Sequence, residues 1–146
     1  MRYLLILFIL FSPNAHSITG ADTPLILAQI RLSALTYNVP FTILYNMCKV
    51  ESRFNPKAFN KKDGRSSSYG LFQIKMGTAR SFGFIGKAKD LMDIRTNSDL
   101  AARILKYHLC KYKGNKCKAI SAYNAGRAIS GNHAYVLKIL NHKHMK

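Results

Sequence analysis

The chain has 146 residues and a formal charge of +17, from 23 Lys and Arg against six Asp and Glu. That length fits a single domain with enough chain to bury a core. The charge predicts attraction to polyanions. Beyond the N-terminus no segment is apolar enough to span a bilayer as a helix.

The first residues read as an export signal. Arg2 supplies a positive start, residues 3–12 are an apolar run, and Ala15-His16-Ser17 offers small residues where a signal peptidase reads. The run is shorter than the roughly 20 apolar residues a spanning helix needs. Residues 1–17 are expected to be a cleaved signal peptide and residues 18–146 the mature domain, with an uncleaved anchor as the alternative. Export argues against nucleic acid as the polyanion. Anionic polymers of a cell wall, or an anionic membrane, remain.

The following pattern is mostly helical. Asp22 or Thr23 can cap a first helix with Pro24 at its first position. Ile26, Leu27, Ile30, Ala34 and Leu35 are its apolar residues, and Asn38-Val39-Pro40 breaks it. A second helix is predicted over 40–53, ended by Asn55-Pro56. Residues 59–69 become polar around Asp63-Gly64, which predicts a small β-hairpin or an irregular exposed loop. A third helix is predicted from Gly70 to Phe82, then a short turn over 90–94. The longest helix is predicted over 97–113, with Leu100, Ile104, Leu105, Leu109 and Tyr112 on one stripe and Gly114 ending it. Two more follow, over 118–125 and from Asn132 into the tail. The expected fold is mainly α: a bundle of short helices with one small β-hairpin inserted after the second helix.

Three cysteines are present. Export makes disulfides permissible. Cys110 and Cys117 flank Lys-Tyr-Lys-Gly-Asn-Lys and are expected to pair, with two free thiols as the alternative. Cys48 is then a small core residue. No Cys/His spacing resembles a zinc site, and His133, His142 and His144 read as a basic tail.

Glu51 is the one glutamate in the chain. Leu44, Met47, Cys48 and Glu51 follow i, i+3, i+4, i+7 spacing, so a helix puts all four on one face. A carboxyl on an apolar face loses hydration, which favours its protonated form, and a protonated carboxyl near neutral pH is what a general acid requires. Spacing alone equally fits a helix-end glutamate that turns to solvent or pairs with Lys49 or Arg53.

Three blocks follow in order: Glu51-Ser52-Arg53-Phe54-Asn55-Pro56-Lys57-Ala58, then Ser68-Tyr69-Gly70-Leu71-Phe72-Gln73-Ile74 with Gly77-Thr78-Ala79, then Ala122-Tyr123-Asn124-Ala125-Gly126 with Tyr135-Val136 beyond. Their order and separations resemble the soluble lytic transglycosylase family, whose fold is that of goose-type lysozyme. The resemblance covers roughly residues 28–137. It implies that Glu51 is the catalytic acid/base and that Ser68, Gly70, Leu71, Gln73, Tyr123 and Asn124 form the substrate cleft. Gly70 and Leu71 would let backbone approach the sugar, and Gln73 would be a polar contact. Tyr123 and Asn124 would lie opposite the glutamate, and Tyr135 would support the acid. Read without the family, Gly70 is equally a helix start and Tyr123 a core residue. The sequence departs from the pattern at Phe72, Lys75, Met76, Phe59-Asn60 and Ile104, which bears on how a glycan sits.

Most glycosidases use two carboxyls. Asp63, Asp90, Asp93 and Asp99 are candidates for a second, Asp63 in a context that is equally a plain turn. The resemblance implies a reaction that needs only Glu51: cleavage of the MurNAc–GlcNAc bond of peptidoglycan with closure to a 1,6-anhydro sugar, without metal or cofactor. A hydrolytic lysozyme on the same fold, and a non-catalytic cationic wall-binding protein, are the competing expectations. The resemblance further implies a monomer in the periplasm or wall, serving a secretion, pilus, conjugation or phage apparatus.

Overall fold

Helices dominate because apolar residues recur at helical spacing and the chain's breakers fall between those runs. The structure is a computed structural model that describes residues 24–63 and 66–141. The expected signal peptide, and His142 and His144 of the tail, lie outside these residues.

Helix α1 (Pro24–Thr36) ends where Asn38 takes a left-handed φ of 50°, and the Val39 N–H donates to Ala34 O at 2.9 Å. Helix α2 (Phe41–Ser52) starts after the extended backbone of Pro40. Two successive left-handed residues, Arg53 and Phe54, reverse the chain just beyond Glu51. They bury the Phe54 ring in the core, its centroid 5.0 Å from that of Tyr45.

Strands β1 (Phe59–Asp63), β2 (Ser66–Tyr69) and β3 (Ile74–Lys75) form an antiparallel sheet in that order. Phe59 pairs with Tyr69, and Tyr69 in turn with Ile74. The expected hairpin is therefore real but carries a third strand. Helix α3 (Met76–Ser81) is correspondingly shorter than the predicted run from Gly70. The reason is backbone conformation: Gly70 and Gln73 have φ of 75° and 47°, and residues 70–73 form a turn between β2 and β3. Apolar spacing over Leu71, Phe72 and Ile74 mimics a helix, but both sides of this turn are buried.

A 3-10 turn (Ala88–Met92) leads into α4 (Ile94–Lys111), the longest helix. It begins three residues before the predicted start, because Asp93 is its N-cap and accepts from the Thr96 N–H at 2.8 Å. Helix α5 (Lys116–Ala125) is capped in the same way by Asn115. A second 3-10 turn (Ser130–Asn132) precedes α6 (His133–Leu140). Helix α4 is the spine, packed on α1 and α5; α2 packs on α1 and α6, and α5 on α6. Ile30, Leu44, Met47, Leu105, Ile120 and Ile139 fill the space between them. Each such buried side chain contributes about 1.5–3 kcal/mol over an exposed one.

Cys48 lies in this core as expected. Cys110 and Cys117 are free and exposed, so the pairing expected for them is not formed here. No helix among the described residues is long and apolar enough to cross a membrane.

Candidate active site

Leu44, Met47 and Cys48 are fully buried, and Glu51 continues their face at the end of α2, where that face runs out of the core. Its half-buried carboxyl reaches a cleft of about 460 Å³. From the other side, α6 brings Tyr135, whose hydroxyl donates to Glu51 Oε1 at 2.5 Å. Burial, the Glu51 charge and this hydrogen bond push the Tyr135 phenol well above its ordinary range. Tyr135 therefore remains a donor at any physiological pH.

Helix α5 contributes Tyr123 and Asn124 to the cleft. Burial, and then the nearby Glu51 charge, hold the Tyr123 phenol far above its usual value. Its hydroxyl donates to Phe72 O at 3.3 Å, which ties α5 to the 70–73 turn. The opposite wall is that turn and β3, through Phe72, Gln73, Ile74 and Lys75, with Thr78 of α3 beyond. Ile104 and His108 of α4 complete the cavity.

The turn is held by polar contacts. Gln73 lines the cleft, but its amide is committed: Oε1 accepts from Ser68 Oγ at 2.8 Å, and Nε2 donates to Ala58 O and Gly70 O. Ser68 is buried and acts on the cleft through Gln73. Gly70 is buried, and a Cβ there would lie 2.6 Å from both Asn97 Nδ2 and Leu91 O. Its lack of a side chain therefore serves the packing of Asn97. Leu71 is wholly buried and, like Gly70, does not line the cavity. The structure thus brings Glu51, Gln73, Tyr123 and Asn124 together around one space, with Tyr135 and Ser68 one contact behind them.

Two residues escaped the sequence reading. Asn97 is completely buried; its Oδ1 accepts from Phe72 N–H at 2.8 Å, and its Nδ2 donates to Tyr69 O and Leu91 O. It fastens the turn to α4. His108, also buried, lines the cleft. Desolvation, then the neighbouring Lys111 charge, hold its imidazole below the ordinary 6.5. Positions 97, 101, 104 and 108 share one helix face, and polar residues at both ends of that apolar row were the available signal.

Three of the four candidate second acids are occupied elsewhere, and the side chain of Asp63 lies outside the described residues. Asp90 accepts from Lys87 N–H, Asp93 caps α4, and Asp99 accepts from Ser33 Oγ and pairs with Arg95. None of the three lines the cleft. Among the described residues, no group of three His, Cys, Asp or Glu side chains is placed to hold a metal ion.

A mainly helical domain with a small sheet, and a cleft built around one tyrosine-held glutamate, define a lysozyme-like domain. The chain belongs to the family described as the transglycosylase SLT domain, whose model matches residues 29–139. It is similar to Protein IpgF of Shigella flexneri and of Shigella sonnei, at 29% identity over 92 residues in each case. That match covers 62% of this chain and 60% of each relative. Among solved structures, its fold is similar to lytic transglycosylase Slt of Pseudomonas aeruginosa, in an inactive form with a glutamate changed to glutamine (TM-score 0.59, 24% identity, 80% of this chain and 18% of the other). It is also similar to the 70 kDa soluble lytic transglycosylase of Escherichia coli (TM-score 0.57, 24% identity, 77% of this chain and 18% of the other).

Proposed function

We propose that this chain is a peptidoglycan lytic transglycosylase that cleaves the MurNAc-β-1,4-GlcNAc bond with Glu51 as its single acid and base, leaving 1,6-anhydroMurNAc. The observation that carries the reading is Glu51 itself: it lines the cleft, receives the Tyr135 hydroxyl, and has none of Asp90, Asp93 or Asp99 beside it. Family membership and the similarity to Slt lytic transglycosylases support the same chemistry.

In the first step the Glu51 carboxylic acid gives its proton to the glycosidic oxygen. The C1–O bond breaks and GlcNAc leaves with a free 4-hydroxyl. The acetamido group of MurNAc stabilises the positive charge developing at C1. The Tyr135 hydrogen bond strengthens as Glu51 becomes a carboxylate, because bonds to ionised acceptors are roughly twice as strong as neutral ones. In the second step Glu51 removes the proton of the C6 hydroxyl, whose oxygen closes on C1. The proton is back on Glu51 and no water has been consumed. A base that must activate water is not required, which suits a cleft without a second aspartate from the set above.

The proposed setting follows from the substrate. Peptidoglycan lies outside the cytoplasm, so residues 1–17 serve as the export signal and the domain works in the periplasm or wall as a monomer. The +17 charge favours a polyanionic wall. Local opening of the wall for a secretion, pilus or conjugation apparatus is the task a small domain of this kind would perform.

The test is incubation with purified peptidoglycan and mass spectrometry of the soluble products, with Glu51→Gln beside it. Anhydro-muropeptides, one water lighter than hydrolysed fragments, are expected. The variant should lose about 10²- to 10⁴-fold in rate, the usual worth of general acid–base catalysis. Hydrated reducing ends would make the protein a muramidase, and release that survives Glu51→Gln would remove Glu51 from the mechanism.

A further inference from the structure

His108 stands on α4 one turn beyond Ile104, and both line the cleft that contains Glu51 and Tyr123. The residue is only 6% exposed, and its Nδ1 has no hydrogen-bond partner. Its neighbours give it ring contacts alone: Tyr107 edge-on at 5.1 Å and Tyr112 stacked at 6.3 Å between centroids. Buried polar atoms in folded proteins are nearly always hydrogen-bonded, and an exception calls for a reason. The orphaned nitrogen is itself sealed from solvent, but the imidazole that carries it is part of the cavity wall, so a molecule bound there meets the ring and can supply the missing partner once the ring turns toward it. Ser98 also has an orphaned hydroxyl, but it does not line the cleft.

The chemistry of the side chain narrows what that molecule offers. Desolvation and Lys111 hold the imidazole below its ordinary value, so near neutral pH it carries one N–H donor and one acceptor nitrogen. Such a group suits ligands that are themselves both donors and acceptors, as sugar hydroxyls and acetamides are. It offers no positive charge to a carboxylate.

We propose that His108 is a substrate-binding residue whose imidazole hydrogen-bonds a hydroxyl or acetamido group of the N-acetylated sugar seated in the cleft beside Glu51. This rests on the glycan-cleaving reading above. The unbound protein leaves a hydrogen bond unmade at this position, and the glycan makes it when the ring turns toward the cleft. His108 thereby favours sugars that present a polar group toward α4 over those that do not, by the worth of one hydrogen bond.

Binding is tested without turnover in Glu51→Gln protein labelled with ¹⁵N, titrated with a tetrasaccharide of alternating GlcNAc and MurNAc. The ring nitrogens of His108 should shift together with the amides of Gln73 and Asn124. Shifts at Gln73 and Asn124 with unmoved His108 nitrogens would overturn the proposal and leave the glycan reading standing. No shift at any of them would overturn both. Kinetics on the Glu51 protein give a second measurement. His108→Leu should raise KM about five- to tenfold, the worth of one hydrogen bond, with a much smaller effect on kcat, while raising Tm because an unpartnered polar atom has gone. His108→Gln should recover most of the loss in KM. An unchanged KM in His108→Leu would refute the assignment, since a purely structural histidine would move only Tm.

Discussion

Replacing Tyr135 by Phe removes one oxygen atom from the middle of the proposed machinery. The phenol donates to Glu51 Oε1 at 2.5 Å and is held protonated by burial and by that carboxyl's charge. A hydrogen bond to a charged group is worth about 1.5–3 kcal/mol. The bond is about half as strong while Glu51 is a neutral acid, so about half of that energy, roughly 0.75–1.5 kcal/mol, is gained only as Glu51 becomes a carboxylate. Tyr135→Phe should therefore lower kcat by roughly 3- to 12-fold, taking about 1.4 kcal/mol per factor of ten. KM should change little, since Tyr135 does not line the cleft. The assay is the initial rate of soluble fragment release from purified peptidoglycan, with Tm measured alongside. A double-mutant cycle gives the sharper outcome. Because Tyr135 acts through Glu51, adding Tyr135→Phe to Glu51→Gln should cost almost nothing further. A wild-type kcat in the single variant, or full additivity in the cycle, would refute the assignment of Tyr135 as the support of the acid.

Three other outcomes are expected. Gly70→Ala places a Cβ 2.6 Å from Asn97 Nδ2 and Leu91 O at a φ of 75°, so thermal melting should show a loss of at least about 2 kcal/mol with reduced activity, from strain and displacement together. Asn97→Ala orphans the Phe72 N–H and the Tyr69 and Leu91 carbonyls. At about 1–3 kcal/mol for each buried group left unsatisfied, urea denaturation should show a loss of 3 kcal/mol or more, while an Asn97→Ala protein as stable as wild type would contradict the anchoring role. Asp93 has its carboxyl held below the ordinary 3.8, chiefly by the Thr96 backbone hydrogen bond. Its folded value is thus the lower one, so its contribution to stability is present above pH 3.8 and disappears as pH falls through that lower folded value. Asp93→Asn, which keeps a capping oxygen, should flatten this part of the stability–pH curve, as read by Tm between pH 2 and 5.

The sequence by itself determined the class of fold, the position of the β element and the helix face that carries Glu51. These are local or linear properties. The apolar period over 97–113 and the breakers at Asn38, Pro40 and Gly114 are written in consecutive residues. The i, i+3, i+4, i+7 row of Leu44, Met47, Cys48 and Glu51 lies within a single helix, so its shared face follows from helix geometry alone. The order of three motif blocks pointed to the family before any contact was known.

Only the tertiary structure decided how residues far apart divide their tasks. Tyr135 meets Glu51 across 84 positions of sequence, and Asn97 reaches back 25 and 28 positions to Phe72 and Tyr69. No local rule encodes such pairings. The helix predicted from Gly70 is a turn and a third strand, because left-handed φ at Gly70 and Gln73 and the buried reach of Asn97 outweigh an apolar spacing that fits a helix. Gly70, Leu71 and Ser68 could be assigned to the site by motif, yet whether a motif residue faces the cleft or braces it depends on packing. Linear spacing assigns His108 no role; only the enclosure that α4, α5 and the 70–73 turn create together turns its imidazole into a buried group at the edge of a cavity.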